Sequence, residues 1–360
     1  MLTEQMKLPE PLQRSLDLAG LPEHTLFFDI ETTGLDHRRS HLYLLGLLQR
    51  LEDGWQLFQY FAERPSQEEE LLRSFSRHCR PETCLVHFNG DTFDIPYLRS
   101  KYKFYQMKQP WPRQEGIDLY KKVRPFRDLL GLSHCRQRDC EELCGFHRED
   151  PFSGGELIAL YREFLQTADL GLYQTLLLHN REDVSGMARI LPLLTLERLR
   201  QGQGKLHSLS LPSREDPWLS LHLKLPGSLP ISLDLSLSPA EGHFRGQEGL
   251  IRVPLYEGVL KYFYENYRDY YYLPLEDTAI HKSVGAYVDS RYRRQAKARD
   301  CYQKKEGLYL PQFSDFRAPG FRLEYGDALS YFAYLPQEWE TGSEMPAAYA
   351  RHLLLSLWEQ

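Results

Sequence analysis

Three short segments carry side chains whose types and spacing suit joint chemistry. The first, TLFFDIETTGLD from Thr25 to Asp36, sets Asp29 and Glu31 inside an otherwise apolar run. Residues two apart on a strand project to the same side, so both carboxylates leave one face of a sheet as close neighbours. Burying such a pair is unfavourable unless a cation meets it, and a hard divalent ion with oxygen ligands, Mg²⁺ or Mn²⁺, is the natural partner. The second segment, LVHFNGDTFDIPYL from Leu85 to Leu98, brings Asp94 to the mouth of a helix behind the turn pair Asn89 and Gly90. Phe93 and Pro96 to Leu98 frame Asp94 more firmly than the competing Asp91. The third, LLLHNREDVSGMARILPLL from Leu176 to Leu194, holds His179 and Asp183 four residues apart, on one face of a helix. Four acids and an imidazole make up the inventory of two-metal phosphodiester hydrolysis: carboxylates for two ions about 4 Å apart, and a group to position or deprotonate water.

Taken singly, each segment has a plainer reading. An Asp-x-Glu on a strand is usually solvated, Asp94 suits a helix N-cap, and His179 with Asp183 suits an exposed helical pair. Their succession in one chain is what favours a site.

The elements that must position them follow from apolar periodicity. Strands are expected at Thr25 to Ile30, His41 to Gln49 and Trp55 to Phe61, an antiparallel meander with a turn at Glu52 to Gly54. A helix follows from Ser66, its N-cap, to Cys79, then a buried strand from Cys84 to His87 and a helix from Asp94 to Lys101. Gly116 to Leu119 reads as a strand whose Asp118 reaches the acids from behind, and Tyr120 to Leu199 reads as helical, with breaks near Gly131, Pro151 and Gly171. The fold class is therefore α/β, one mixed sheet flanked by helices.

The 360 residues allow two domains. Residues 1–20 read as an N-terminal extension, 21–200 as the α/β domain, 201–216 as a linker rich in Gly, Ser, Pro and charge, and 217–360 as a smaller β-rich α+β domain that guides substrate. In that last region the alternating runs around Pro226 and Gly227 suggest a hairpin. Strands are expected at Leu250 to Val253, Leu308 to Gln312 and Phe321 to Tyr325, and helices at Gly258 to Tyr267 and Thr278 to Arg299.

No apolar run reaches the roughly 18 residues of a membrane span, and the start lacks the layout of a secretory signal, so a cytoplasmic protein without membrane association is expected. Six cysteines then read as reduced thiols. The pattern C-x4-C-x3-C-x2-H from Cys135 to His147 fits no common zinc spacing and is read as buried thiols. A net charge of -6 argues against coating nucleic acid by bulk electrostatics and leaves room for local contact. Basic residues cluster between Arg99 and Arg127 and again between Lys282 and Lys305, where Arg293, Arg294 and Lys297 interleave with tyrosines in a way that suits phosphate contact and base stacking.

DIETTGL, HFNGDTFDIPYL and HNREDV, in this order and spacing, resemble the three exonuclease motifs of the DEDD superfamily in the ribonuclease H fold, most nearly the YprB-like ribonuclease H-like group. The likeness spans Leu21 to Leu199 and includes GIDLY, SHCR and PFSGGE. It implies Asp29, Glu31, Asp94 and Asp183 as ligands of two Mg²⁺ or Mn²⁺ ions, 3′–5′ exonuclease activity on single-stranded ends of DNA or RNA, and a helicase as a candidate partner. Thr32 and Asn89, within the first two motifs, are candidate nucleic-acid contacts. One departure concerns the histidine: relatives with histidine place it five residues before the last aspartate, those with tyrosine four, and here His179 stands at the tyrosine spacing. A catalytic role is expected for it, as base or as an orienting group for water. The rival reading is a catalytically inactive nucleic-acid-binding module of the same fold. A glycosidase built on paired carboxylates is disfavoured by the three-segment pattern.

Overall fold

Six strands, β1 (Leu2–Lys7), β2 (Thr25–Thr32), β3 (Leu42–Leu51), β4 (Gly54–Phe61), β5 (Cys84–His87) and β6 (Ile117–Asp118), form the first sheet. In the computed structural model, which describes residues 1–111, 116–340 and 342–359, their spatial order is β1-β4-β3-β2-β5-β6. The meander β2-β3-β4 pairs antiparallel, as strands joined by short turns do, whereas β2/β5 and β5/β6 pair parallel. Among the described residues these α-helices accompany the sheet: α1 (Glu10–Leu18), α2 (Glu68–His78), α3 (Asp94–Phe104), α4 (Leu119–Val123), α5 (Gln137–Leu143), α6 (Gly154–Thr167), α7 (Leu170–Ile190) and α8 (Leu194–Arg200). Because β2 is central and covered on both sides, seven of its eight residues are buried and Asp29 is half-buried. Phe28 and Ile30 join Leu44, Phe75 of α2 and Leu98 and Tyr102 of α3 in one core.

Helix α7 lies across β2, β3 and β4. Gly46 on β3, paired with Asp29, permits this approach, since a Cβ there would come within 2.3 Å of the Asn180 Oδ1 on α7. A small residue at this one place sets the distance between the acids of β2 and the face of α7.

Several expectations are corrected. Residues 1–20 are not a free extension: β1 is the edge strand on β4, and Leu12 and Leu16 of α1 are buried. The six side chains of β1 are all exposed, so no apolar alternation marked it. Ser66 does not cap α2, which starts at Glu68 after a short 3-10 turn; the Gln67 side chain accepts from the Glu63 and Arg64 N–H groups instead. Residues 112–115 of the first basic stretch, including Arg113, lie outside the described residues.

The chain divides into two units, Met1–Glu197 and Arg198–Gln360. In the second, β7 (Lys205–Ser210) falls within the expected linker and pairs with β8 (Trp218–Leu237), which also pairs with β9 (Ala240–Pro254). The expected hairpin turn at Pro226 and Gly227 is a register irregularity inside β8, and the chain reverses at Ser238 and Pro239. The two expected helices are not helices. Tyr256–Phe263 is strand β10, β11 (Tyr270–Leu273) follows it, and the run from Thr278 breaks into β12 (Thr278–His281) and β13 (Arg294–Gln295), both paired with β11, with the four-residue α9 (Lys282–Gly285) and a 3-10 turn at Ser290–Tyr292 between them. Strand β14 (Tyr302–Gln312) pairs with β10 and with β15 (Ser330–Ala333), and α10 (Met345–Trp358) closes the chain. Aromatic pairs across strands, such as Phe263 with Tyr302 at 5.3 Å, favour sheet over helix here. Residues 321–325 form only isolated bridges. Among the described residues no helix is long and apolar enough to cross a membrane.

Candidate active site

Asp29 and Glu31 leave β2 on the side that α7 covers. Asp94, the first residue of α3, joins them, held by the backbone N–H groups of Asp94 itself and Ile30. Burial, then the charges of Asp183, Glu31 and Asp94, pushes the Asp29 carboxyl well above the carboxylate range, and burial with Asp183 and Asp94 does the same to Glu31. For Asp94, burial outweighs its backbone hydrogen bonds and brings the pKa to about 7. Three carboxyls thus share a pocket without enough positive charge to keep all of them ionised.

The fourth acid is treated differently. Asp183 on α7 is flanked by the Arg148 Nη1 at 2.7 Å and the His179 Nε2 at 3.0 Å. Although burial opposes ionisation, these two cations hold its pKa below the usual value. His179 Nε2 also faces the Glu31 Oε1 at 3.4 Å, while its Nδ1 meets the fully buried Asp150 at 2.6 Å. Burial lowers the His179 pKa, but Asp183 and Asp150 prevail and hold it at about 9. Arg148 makes a two-point ion pair with the buried Glu141, at 2.5 and 2.7 Å. Asn180 donates to Asp29 at 3.0 Å and is itself held by Gln59 at 3.0 Å.

A family model described as RNase H superfamily matches residues 26–195, the segment that contains all four acids and His179. Set in a mixed six-stranded sheet with flanking helices, that segment has an RNase H-like fold. No curated protein matches the chain. Among solved structures, one titled "ExoI/SSB-Ct complex" is 12% identical, with 78% of this chain aligned to 65% of that one at a TM-score of 0.29, a likeness too low to carry an argument.

In this RNase H-like domain the acids predicted from three separated segments face one another, and His179 stands among them. Glu31, His179 and Asp183 offer ligand atoms all within 4.8 Å of one another. The donor set of the acids is oxygen throughout, and three of the four acids resist ionisation for want of a cation, so Asp29, Glu31, Asp94 and Asp183 fit a hard divalent ion. Asp183 retains lone pairs beyond those its two cations use, because an ionised carboxylate has about four acceptor sites.

Asp118 closes the loops beneath the acids. Its Oδ1 accepts from the N–H groups of Asn89 and Tyr120, at 2.9 and 3.0 Å, and its charge adds to the rise at Asp94. Asn89 is exposed, in the left-handed region at φ 59°, which asparagine tolerates. Thr32 is buried, and its hydroxyl donates to the Gly34 carbonyl at 2.9 Å. The tail residues belong to the second unit. Arg293 and Arg294 lie over the rings of Tyr271 and Tyr272, each at 4.4 Å, and Arg294 is paired with Asp300 at 2.6 Å, while Lys297 is exposed. The charge of Arg294 is therefore met by Asp300, and both rings are covered by the arginines rather than open to bases.

Sequence reading missed Arg148, Asp150 and Asn180. The first two lie in the loop HREDP between α5 and α6, pinned to α7 where Glu182 accepts from the Glu149 and Asp150 N–H groups at 2.9 and 3.0 Å. The density of charge just before Pro151 was their only signal.

The raised pKa values have a measurable consequence in metal-free protein. A group whose folded pKa exceeds its unfolded one contributes stability that is complete below the unfolded value and is lost as pH rises through the folded one. For Asp94 that window runs from 3.8 to about 7, and for His179 from 6.5 to about 9. Thermal melts in chelator are expected to show Asp94→Asn matching wild type at the acid end of the first window and exceeding it above pH 7. An equal difference at both ends contradicts crowding among the acids.

Proposed function

We propose that the RNase H-like domain is a metal-dependent exonuclease of the DEDD type that removes nucleotides from the 3′ ends of single strands. The observation that carries this reading is the convergence of four acids, three of them with raised pKa values, around one imidazole. Two divalent ions bound there would polarise the scissile phosphate and acidify the attacking water. The residues themselves do the rest. Asp29, Glu31, Asp94 and Asp183 fix the place of reaction, and Asn180 and Gln59 fix Asp29. Asp150 accepts the Nδ1 proton of His179, which leaves Nε2, the atom facing the acids, to exchange a proton with water. Arg148, locked by Glu141, keeps Asp183 ionised.

Incubation with 3′- and 5′-labelled single strands, in Mn²⁺ and in chelator, tests this. Stepwise loss from the 3′ end in Mn²⁺ alone is expected. The rival, an inactive binding module, draws support from Arg148 and His179 already occupying both oxygens of Asp183. Binding without cleavage of DNA or RNA in any metal would establish it.

A further inference from the structure

A second and larger cavity borders the space beside His179 and Asp183. The space beside His179 and Asp183 holds about 350 Å³, and a neighbouring one of about 760 Å³ shares Arg136 and Gln137 with it as a common wall. Gln137 is anchored to the site, since its side chain donates to the Asp183 carbonyl at 2.7 Å. Among the described residues the larger space is lined by Asn89, Tyr120, Arg124, Arg127 and Arg136, with Asp128 as the one acid. In a chain of net charge -6, three arginines against one aspartate make this a local positive region. Arg127 pairs with the neighbouring Asp128 at 2.7 Å, an exposed contact worth little, which a phosphate would displace. The Arg124 guanidinium lies over the Tyr120 ring at 5.8 Å. Asp118 accepts from the backbones of both Tyr120 and Asn89, so the aromatic wall and the loop that presents Asp94 are tied together.

We infer that this cavity receives the unpaired strand next to the reacting phosphate: Arg124, Arg127 and Arg136 contact its backbone and a base stacks on Tyr120. The inference rests on the nuclease reading and names the side chains of that same domain that hold the strand beside the acids. A volume within the roughly 300–1,000 Å³ range of ligand clefts suits individual nucleotides, and a base can stack on a side chain only with a free face, which the interior of a duplex denies. In the basic tail of the second unit, Arg293 and Arg294 lie over Tyr271 and Tyr272, and Arg294 is already paired with Asp300.

The test is binding of a fluorescent oligothymidylate to the full chain in chelator, where no turnover occurs. Arg124→Ala, Arg127→Ala and Arg136→Ala combined should weaken binding and flatten the slope of log Kd against log salt by about 2, at about 0.7 per phosphate contact on a single strand. Tyr120→Ala should weaken binding roughly 5- to 150-fold, and Tyr120→Phe should restore it. All four side chains are at least partly exposed, and melts check that the variants fold. A blunt duplex or thymidine monophosphate should compete at least about tenfold less well than the strand. An unchanged affinity and salt slope, or equal competition by either, overturns the inference. Failure of the nuclease reading appears separately, as wild-type protein that binds the strand through these residues but never cleaves it in Mn²⁺.

Discussion

Asp29→Asn is expected to reduce metal-dependent cleavage to background while leaving the melting temperature in chelator unchanged or higher. The two effects share one cause. The Asp29 carboxyl is forced toward its neutral form by burial and by Asp183, Glu31 and Asp94, so an amide of the same shape removes repulsion from the empty pocket. The amide oxygen can still accept the hydrogen bond from Asn180, now 3.0 Å away. What is lost is the anionic oxygen that a hard cation requires. Activity against a labelled strand and a melt of the same sample check both halves. Near-full activity removes Asp29 from the chemistry, and a large loss of stability makes it a structural residue.

His179→Ala is expected to lower kcat by about 10²- to 10⁴-fold with little change in KM, the range for loss of a proton-transferring side chain. The geometry makes this more than a matter of residue type, because Nε2 lies among the acids and Nδ1 is fixed by Asp150. Asp150→Asn keeps an acceptor for Nδ1 but loses the charge that favours the imidazolium. It should lower kcat roughly 10- to 100-fold, as loss of an orienting partner does. Unchanged kcat in His179→Ala would leave positioning of water to other groups and reduce His179 to a partner of Asp183.

The acids could be read from the chain because local rules place them: the period of two on β2 and the four-residue step on α7 each need no knowledge of the fold. Asp94 followed from a turn and a first-turn proline. Arg148 and Asp150 followed no such rule, since which loop returns to α7 is decided by Glu182 capturing two N–H groups more than thirty residues away. The same limit explains the sheet. The central strands announce themselves by apolar runs, whereas β1 is exposed along its length and is recruited by β4, whose register pairs Leu2 with Phe61. In the second unit, tyrosines and phenylalanines between Tyr256 and Leu273 fit helix and strand patterns alike. Cross-strand partners on β14, far along the chain as in Tyr256 with Tyr309, decide between them. The basic run after Lys282 looked like a helix by composition, yet Asp289 turns the chain by accepting from the Arg291 N–H at 2.9 Å.

The most direct measurement is anomalous diffraction from crystals of the protein soaked in Mn²⁺ with a short single strand. Two peaks about 4 Å apart, within coordination distance of the carboxylates of Asp29, Glu31, Asp94 and Asp183, are expected. Strand density at the acids with no manganese beside them would contradict a metal centre there.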